Sequence, residues 1–198
     1  MAIEPQERLT CNDSATRCFG TAYIFEQRAA PLRIAIKILT FSSLIGPLAI
    51  GSLVIAVGTK GAIITPALVA ASALSIIQIV VSLWALISRW SENLAYYLES
   101  KADNYQISDR FKDLANNTSY SDSKWRREFE VLETLGVMRG SLDHRHDISD
   151  EEKRMGMRAS LRNFQRECVG CKTTPTSMES STCNVCGGYK KRKIKWLM

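Results

Sequence analysis

Between Lys37 and Arg89 the mixed polar pattern of the chain gives way to two runs without a charged side chain, residues 38–58 and 61–87, parted only by Thr59 and Lys60. A helix that crosses the roughly 30 Å apolar core of a bilayer needs about 20 residues at about 1.5 Å each. The two runs hold 21 and 27 residues, which predicts a transmembrane hairpin within 31–90. Pro31 should break or bend the helix leading into it, and Gly46-Pro47 should kink the first span. Pro66 falls about one turn inside the second span, where proline is better tolerated.

On both sides of these runs the pattern becomes amphipathic. Cys18, Phe19, Ala22, Phe25 and Ala29 recur at helical spacing behind Asp13 or Ser14 as a cap, which predicts an N-terminal helix within 1–30. Beyond Arg89 the period continues through Trp90, Leu94, Tyr97, Leu98, Tyr105, Phe111 and Leu114. The second span should therefore project onward as one long helix, until the polar stretch 116–121 interrupts it. A helix from about Ser123 carries Trp125, Phe129, Leu132 and Leu135 on one stripe and should end at Gly136 or Gly140, completing a helical region over 91–147. Ser149 with Glu152 forms a capping-box pattern that opens a basic helix running to about Gln165.

Charge orients the hairpin. Arg28, Arg33 and Lys37 precede the first run and Arg89 follows the second, whereas the tip holds only Lys60. The positive-inside rule then places both termini in the cytoplasm. The first 37 residues are too long and too acidic for a cleaved signal peptide. Of the 198 residues with net charge +6, the segment 89–150 holds nine Lys/Arg against twelve Asp/Glu, and 151–198 holds eleven against four. The C-terminal end is the basic pole, suited to an anionic partner.

In a cytoplasmic setting the six cysteines stay reduced, and clustered ones point to metal. Cys168-Val169-Gly170-Cys171 and Cys183-Asn184-Val185-Cys186 are two CxxC pairs separated by eleven residues. Such a spacing lets a folded-back loop bring four thiolates around one tetrahedral zinc, with Gly187-Gly188 free to take the positive φ such turns need. The residues between the pairs are mainly Thr, Ser, Pro and Glu, so a structural Zn2+ would supply much of the local folding free energy. Redox dithiols are the competing reading, but no thioredoxin-like strand and helix pattern surrounds either pair. Cys11 and Cys18 lack further His or Cys nearby and read as small buried apolar side chains. The expected fold class is thus a mainly α membrane protein: a two-helix transmembrane hairpin, cytosolic helices and a small C-terminal zinc ribbon within 148–198.

The cysteine spacing, the hairpin and the helical connector together resemble the bacterial mobilome CxxCx(11)CxxC family, across nearly the whole chain. The hairpin with flanking cytosolic helices is also similar in architecture to the SLATT group of two-transmembrane modules. The first resemblance implies a mobile-element context in the bacterial inner membrane. The second implies a membrane-perturbing or pore-forming effector of conflict systems, including antiviral defence.

Three further features bear on function. Ala67, Ala71, Ser75, Gln78 and Ser82 share one face of the second span, where they either pack helices within the hairpin or between protomers, or line an oligomeric pore weakly. Lys190, Lys191, Arg192, Lys193, Lys195 and Trp196 make a basic, aromatic tail that suits a solvated ribbon face, anionic lipid or, less well, nucleic acid. Asp143, His144, His146 and Asp147 alternate as metal ligands can, yet read more simply as a polar connection. No nucleophile, phosphate loop or carboxylate pair supports catalysis, so no enzyme is expected. The leading expectation is an effector that assembles as a homo-oligomer in the lipid bilayer, with the zinc ribbon binding a trigger or partner protein. The alternative is a membrane-tethered zinc-ribbon module that recruits nucleic acid or protein, with the hairpin only an anchor.

Overall fold

The structure is a computed structural model that describes residues 5–57 and 64–190. Among the described residues five helices follow one another, α1 (Pro5–Val57), α2 (Ile64–Ile87), α3 (Trp90–Asn116), α4 (Asp122–Asp143) and α5 (Asp150–Asn163), with a short 3-10 turn at His144–His146. The chain divides into two compact units, Met1–Arg28 with Tyr97–Met198, and Ala29–Tyr96. Three of the four segments read from the sequence therefore contribute to one body.

That first unit is built on repeated spacings of four and three. On α1 the inward face is Cys11, Ala15, Cys18, Ala22 and Phe25; on α3 it is Ser100, Asn104, Ile107, Phe111 and Leu114; on α4 it is Trp125, Leu132, Arg139 and Asp143. Such seams let helices interlock side chain into groove. At one end the seam is apolar, where Cys11, Phe111, Leu114, Trp125 and Leu132 are all at most 2% exposed. Each large side chain buried there contributes roughly 1.5–3 kcal/mol by leaving water. The Trp125 indole stacks on Phe129 at 5.4 Å and donates to the Leu114 carbonyl at 3.0 Å. Arg8 closes this end by donating to the Ala115 carbonyl at 2.6 Å, satisfying an orphan acceptor at the C-terminus of α3.

At the other end the seam is polar. Asp143 accepts from Ser100 Oγ and Asn104 Nδ2, both at 2.7 Å, and pairs with Arg139 at 3.3 Å. Arg139 in turn meets Glu99 and Asp103 at 3.1 and 3.0 Å. A one-step slip of α4 against α3 would strand these buried groups, so the network fixes the register at that end. The α5 helix crosses α1 at Gly20 and Gly156: a Cβ placed on Gly156 would come within 2.6 Å of the Gly20 carbonyl. Only two glycines permit so close an approach.

Arg28, the last residue of this unit on α1, ties its elements together. It donates to Glu152 Oε1 and Oε2 at 2.8 and 2.6 Å, to the His146 carbonyl at 2.6 Å and to the Asp147 carbonyl at 3.0 Å. Its guanidinium also lies about 6 Å from the Phe25 and Tyr97 rings (5.8 and 5.9 Å). Glu152 simultaneously accepts from the Ser149 N–H in the capping box, which forms as the sequence predicts.

The second unit carries the two apolar helical segments. The helices Pro5–Ala49 and Leu68–Ile87 contain windows long and apolar enough to cross a membrane, with mean hydropathy 1.5 and 2.1 and only 6% and 0% of each window buried. Phe41, Leu44, Leu48, Leu74, Ile76, Ile79, Leu86 and Ile87 all lie open on their surfaces. A core helix of a soluble domain would have these side chains covered.

Several boundaries differ from the sequence reading, each for a local reason. The first helix already runs from Pro5, the first described residue. Asp13 and Ser14 are inside it and serve as partners of Arg166 and Arg17 instead of caps. Pro31 does not end the helix; α1 continues through it and through Pro47, since each proline removes one backbone bond while the turns around it persist. The expected single helix past Arg89 is interrupted: Ser88 and Arg89 form a turn, Arg89 takes φ 51°, and Asn93 Nδ2 caps the Ser88 carbonyl at 3.1 Å. On α4 neither Gly136 nor Gly140 stops the helix, because Arg139 after the first and Asp143 after the second are held by α3. No strand occurs among the described residues, so the cysteine segment is built from turns and not from a β-ribbon. Thr59, Lys60 and the tail from Lys191 onward lie outside the described residues.

Burial alone would raise the Glu152 carboxyl, but the hydrogen bonds from Arg28 and Ser149 outweigh it and hold the group at about 2, against an ordinary 4.5. Because the folded value lies below the unfolded one, the stabilisation is complete above about pH 4.5 and is lost as pH falls toward 2. Glu152→Gln should cost on the order of 3 kcal/mol at neutral pH. Denaturant unfolding of the detergent-solubilised chain should show the gap between variant and wild type closing across that acidic window.

Candidate metal centre

The two CxxC pairs fold into matching turns. In the first, the Lys172 N–H donates to the Cys168 carbonyl at 2.8 Å; in the second, the Gly187 N–H donates to the Cys183 carbonyl at 2.8 Å. The first turn uses Lys172 at φ 54°, a left-handed conformation that costs a side-chain-bearing residue about 1 kcal/mol. Gly188 takes φ 65°, while Gly187 is required for space, since a Cβ there would run into the Ser181 carbonyl. Gly170 is required likewise: its Cβ would sit 2.8 Å from Val185 and 3.1 Å from Cys183 Sγ. The tight backbone aims both sulfurs of each pair toward the other pair.

All four sulfurs lie within 4.8 Å of one another. Cys168 Sγ is 3.9 Å from Cys183 Sγ, and Cys171 Sγ is 3.8 Å from Cys186 Sγ. Four sulfurs bound tetrahedrally at about 2.3 Å would be about 3.8 Å apart. The donor set therefore fits one tetrahedral metal ion, and four protein ligands leave it no open position for substrate. Among the described residues this is the one cluster of His, Cys, Asp and Glu with that capacity.

Electrostatics favour the same conclusion. Hydrogen bonds from the Thr173 hydroxyl and N–H bring the Cys171 thiol down to about 6, and the N–H groups of Cys186 and Val185 lower Cys183. Burial, reinforced by the neighbouring sulfurs, pushes Cys186 up to about 12. Some thiolates form readily, but the full set requires a cation between them.

The cysteine segment is seated on α5. Arg154, Arg158 and Leu161, spaced by four and three, face it. Leu161 packs against Cys168 and Cys186, Arg154 donates to the Gly188 carbonyl at 3.0 Å, and Arg158 donates to the Ser177 carbonyl at 2.8 Å. Arg166 pairs with Asp13 of α1 at 2.8 Å. The sequence reading treated these arginines as part of a basic pole and missed their inward role. The signal was present in the 154, 158, 161 spacing just ahead of the first CxxC.

Of the remaining candidates, Ala71, Ser75, Gln78 and Ser82 fall on one face of α2 as expected, with Ala67 on the same helix. Ser75 Oγ donates to the Ala71 carbonyl at 2.8 Å, so this hydroxyl is satisfied within its own helix. Lys190 is exposed, while Lys191, Arg192, Lys193, Lys195 and Trp196 lie outside the described residues. The Asp143 to Asp147 segment is a connection and not a ligand set: Asp143 is committed to α3, and the His146 ring sits edge-on to Phe25 and Tyr97. Burial pushes both the Cys11 and Cys18 thiols up to about 11, which keeps them protonated.

A helical body with a four-cysteine turn module of metal-binding geometry defines the class of this protein. The chain matches the family described as Mobilome CxxCx(11)CxxC protein over residues 8–189, and it belongs to that family. No curated protein and no solved structure matches it.

One metal ion per chain is expected by elemental analysis of the purified protein, falling below a tenth of that in Cys183→Ser. Retention of a full equivalent by Cys183→Ser would rule out the four-sulfur site.

Proposed function

We propose that the protein is a bacterial inner-membrane effector of a mobile-element or antiviral conflict system, whose two apolar helices perturb the bilayer as an oligomer when the cysteine module engages a trigger. The observation that carries this reading is the uncovered apolar surface of α1 and α2, of which 6% and 0% of the spanning windows is buried. Side chains such as Leu74, Ile76 and Ile79 need a lipid or helical environment to leave water. In this reading the ion is structural Zn2+, which soft tetrahedral thiolate sites favour. Both termini are cytoplasmic, and no catalytic site is involved.

The polar face of α2 supplies the assembly surface. Ala71 and Ser75 allow close helix approach, and Gln78 can hydrogen-bond across an interface. The resemblance in sequence layout to the two-span SLATT modules supports the same reading.

The alternative, a membrane-tethered zinc-ribbon module recruiting nucleic acid or protein with the hairpin only an anchor, draws less support in its nucleic-acid form. Arg154, Arg158 and Arg166 are engaged within the fold, which leaves the basic pole smaller than its composition suggests.

Purified protein in anionic liposomes should release a trapped dye, and combined Gln78→Leu and Ser75→Leu should reduce release at least several-fold while leaving zinc content unchanged. Absence of release in every oligomeric state, or release indifferent to the double substitution, would refute the proposed lining.

A further inference from the structure

We propose that Arg158 is the outer-sphere positioning residue of the four-cysteine centre, holding the spacer between the two CxxC pairs while setting a positive N–H against the Cys186 sulfur. This inference rests on the metal reading above.

The geometry is specific. From α5, Arg158 Nε donates to the Ser177 carbonyl at 2.8 Å, and Nη1 reaches Ser181 Oγ at 3.3 Å and the Cys186 carbonyl at 3.4 Å. The same Nη1 is 3.9 Å from Cys186 Sγ, within range of a hydrogen bond to sulfur. One planar group thus meets two points of the spacer, one ligand backbone and one ligand atom. The neighbouring cations of α5 are placed otherwise, Arg154 on the Gly188 carbonyl and Lys153 on Asp150.

Charge explains why a cation belongs there. Four thiolates around a divalent ion leave two negative charges, and two of the ligands, Cys168 and Cys186, are fully buried. A fixed guanidinium beside one sulfur offsets part of that charge. Its N–H also makes the thiolate less basic, so protons compete less well with the metal. A lysine would bring charge but not the fork that reaches the spacer and the sulfur together.

The test uses the full-length protein in detergent, loaded with Zn2+ for chelator competition and with Co2+ for absorption spectroscopy. Wild type, Arg158→Leu, Arg158→Gln and Ser181→Ala should each bind one tetrahedral ion. Arg158→Leu should bind about 10–100-fold more weakly. Its sulfur-to-cobalt charge-transfer band should move to lower energy, because a thiolate without a neighbouring cation gives up an electron more easily. Arg158→Gln keeps a donor for the spacer but removes the charge, so it should show the same band shift with a smaller loss of affinity. Ser181→Ala removes one acceptor and no charge, and should leave the band in place. Unchanged affinity and band energy in Arg158→Leu would overturn the inference while leaving the metal site intact. Should that variant not fold, an unmoved band in Arg158→Gln overturns it instead. Wild type that binds neither ion overturns the metal reading and this inference with it.

Discussion

The pairing of Arg28 with Glu152 is the constraint on which the first unit depends. One guanidinium, mostly buried, receives the carboxylate that also caps α5 and closes two carbonyls of the preceding turn. Without it, the N-terminal end of α5 would lose its ion pair with α1, leaving the Gly20 to Gly156 crossing and the Arg166 to Asp13 pair to hold the two helices together. Buried ion pairs often contribute little net stability, but their geometry excludes alternatives because either partner left by itself is costly. Here the exclusion is of every other angle at which α5 could meet α1. The cysteine module inherits its placement from that choice.

Some of this architecture was legible in the residues and some was not, along physical lines. Local signals performed well: Ser149 and Glu152 form their capping box, and the polar stretch after Asn116 ends α3. The cysteine spacing was equally readable, because four sulfurs and a tight turn are a chemical requirement that survives any surroundings. Proline and glycine were misleading. Gly136 and Gly140 weaken a helix locally, yet the contacts of Arg139 and Asp143 with α3 outweigh that cost, and propensity gives no view of those contacts; at Pro31 the helix continues because the turns on either side persist. The reverse occurred at Arg89, where an ordinary helix former adopts a left-handed turn that periodicity did not foreshadow.

The arginines illustrate a further limit. Composition counts charges without saying whom they face. Arg28 and Arg139 are indistinguishable in sequence from solvated surface cations, and Arg158 is marked only by its spacing from Leu161, yet all three turn inward to carbonyls, carboxylates or sulfur. Arginine suits such positions because its planar fork can satisfy several acceptors at once and its charge is weakly hydrated. Counting cations therefore overstated the free basic surface of α5 among the described residues, where Arg154 and Arg158 face the cysteine segment.

The two faces of α5 carry a consequence for how the chain would come apart. One face is small residues against α1 and needs no metal; the other is arginines and Leu161 beneath the cysteine turns. The spacer holds few apolar groups of its own, so a bound ion would be the main source of order in the cysteine segment, whereas the platform under it packs without one. With an ion bound at the four sulfurs, its removal would be expected to release about twenty residues of the cysteine segment without unfolding the helical body.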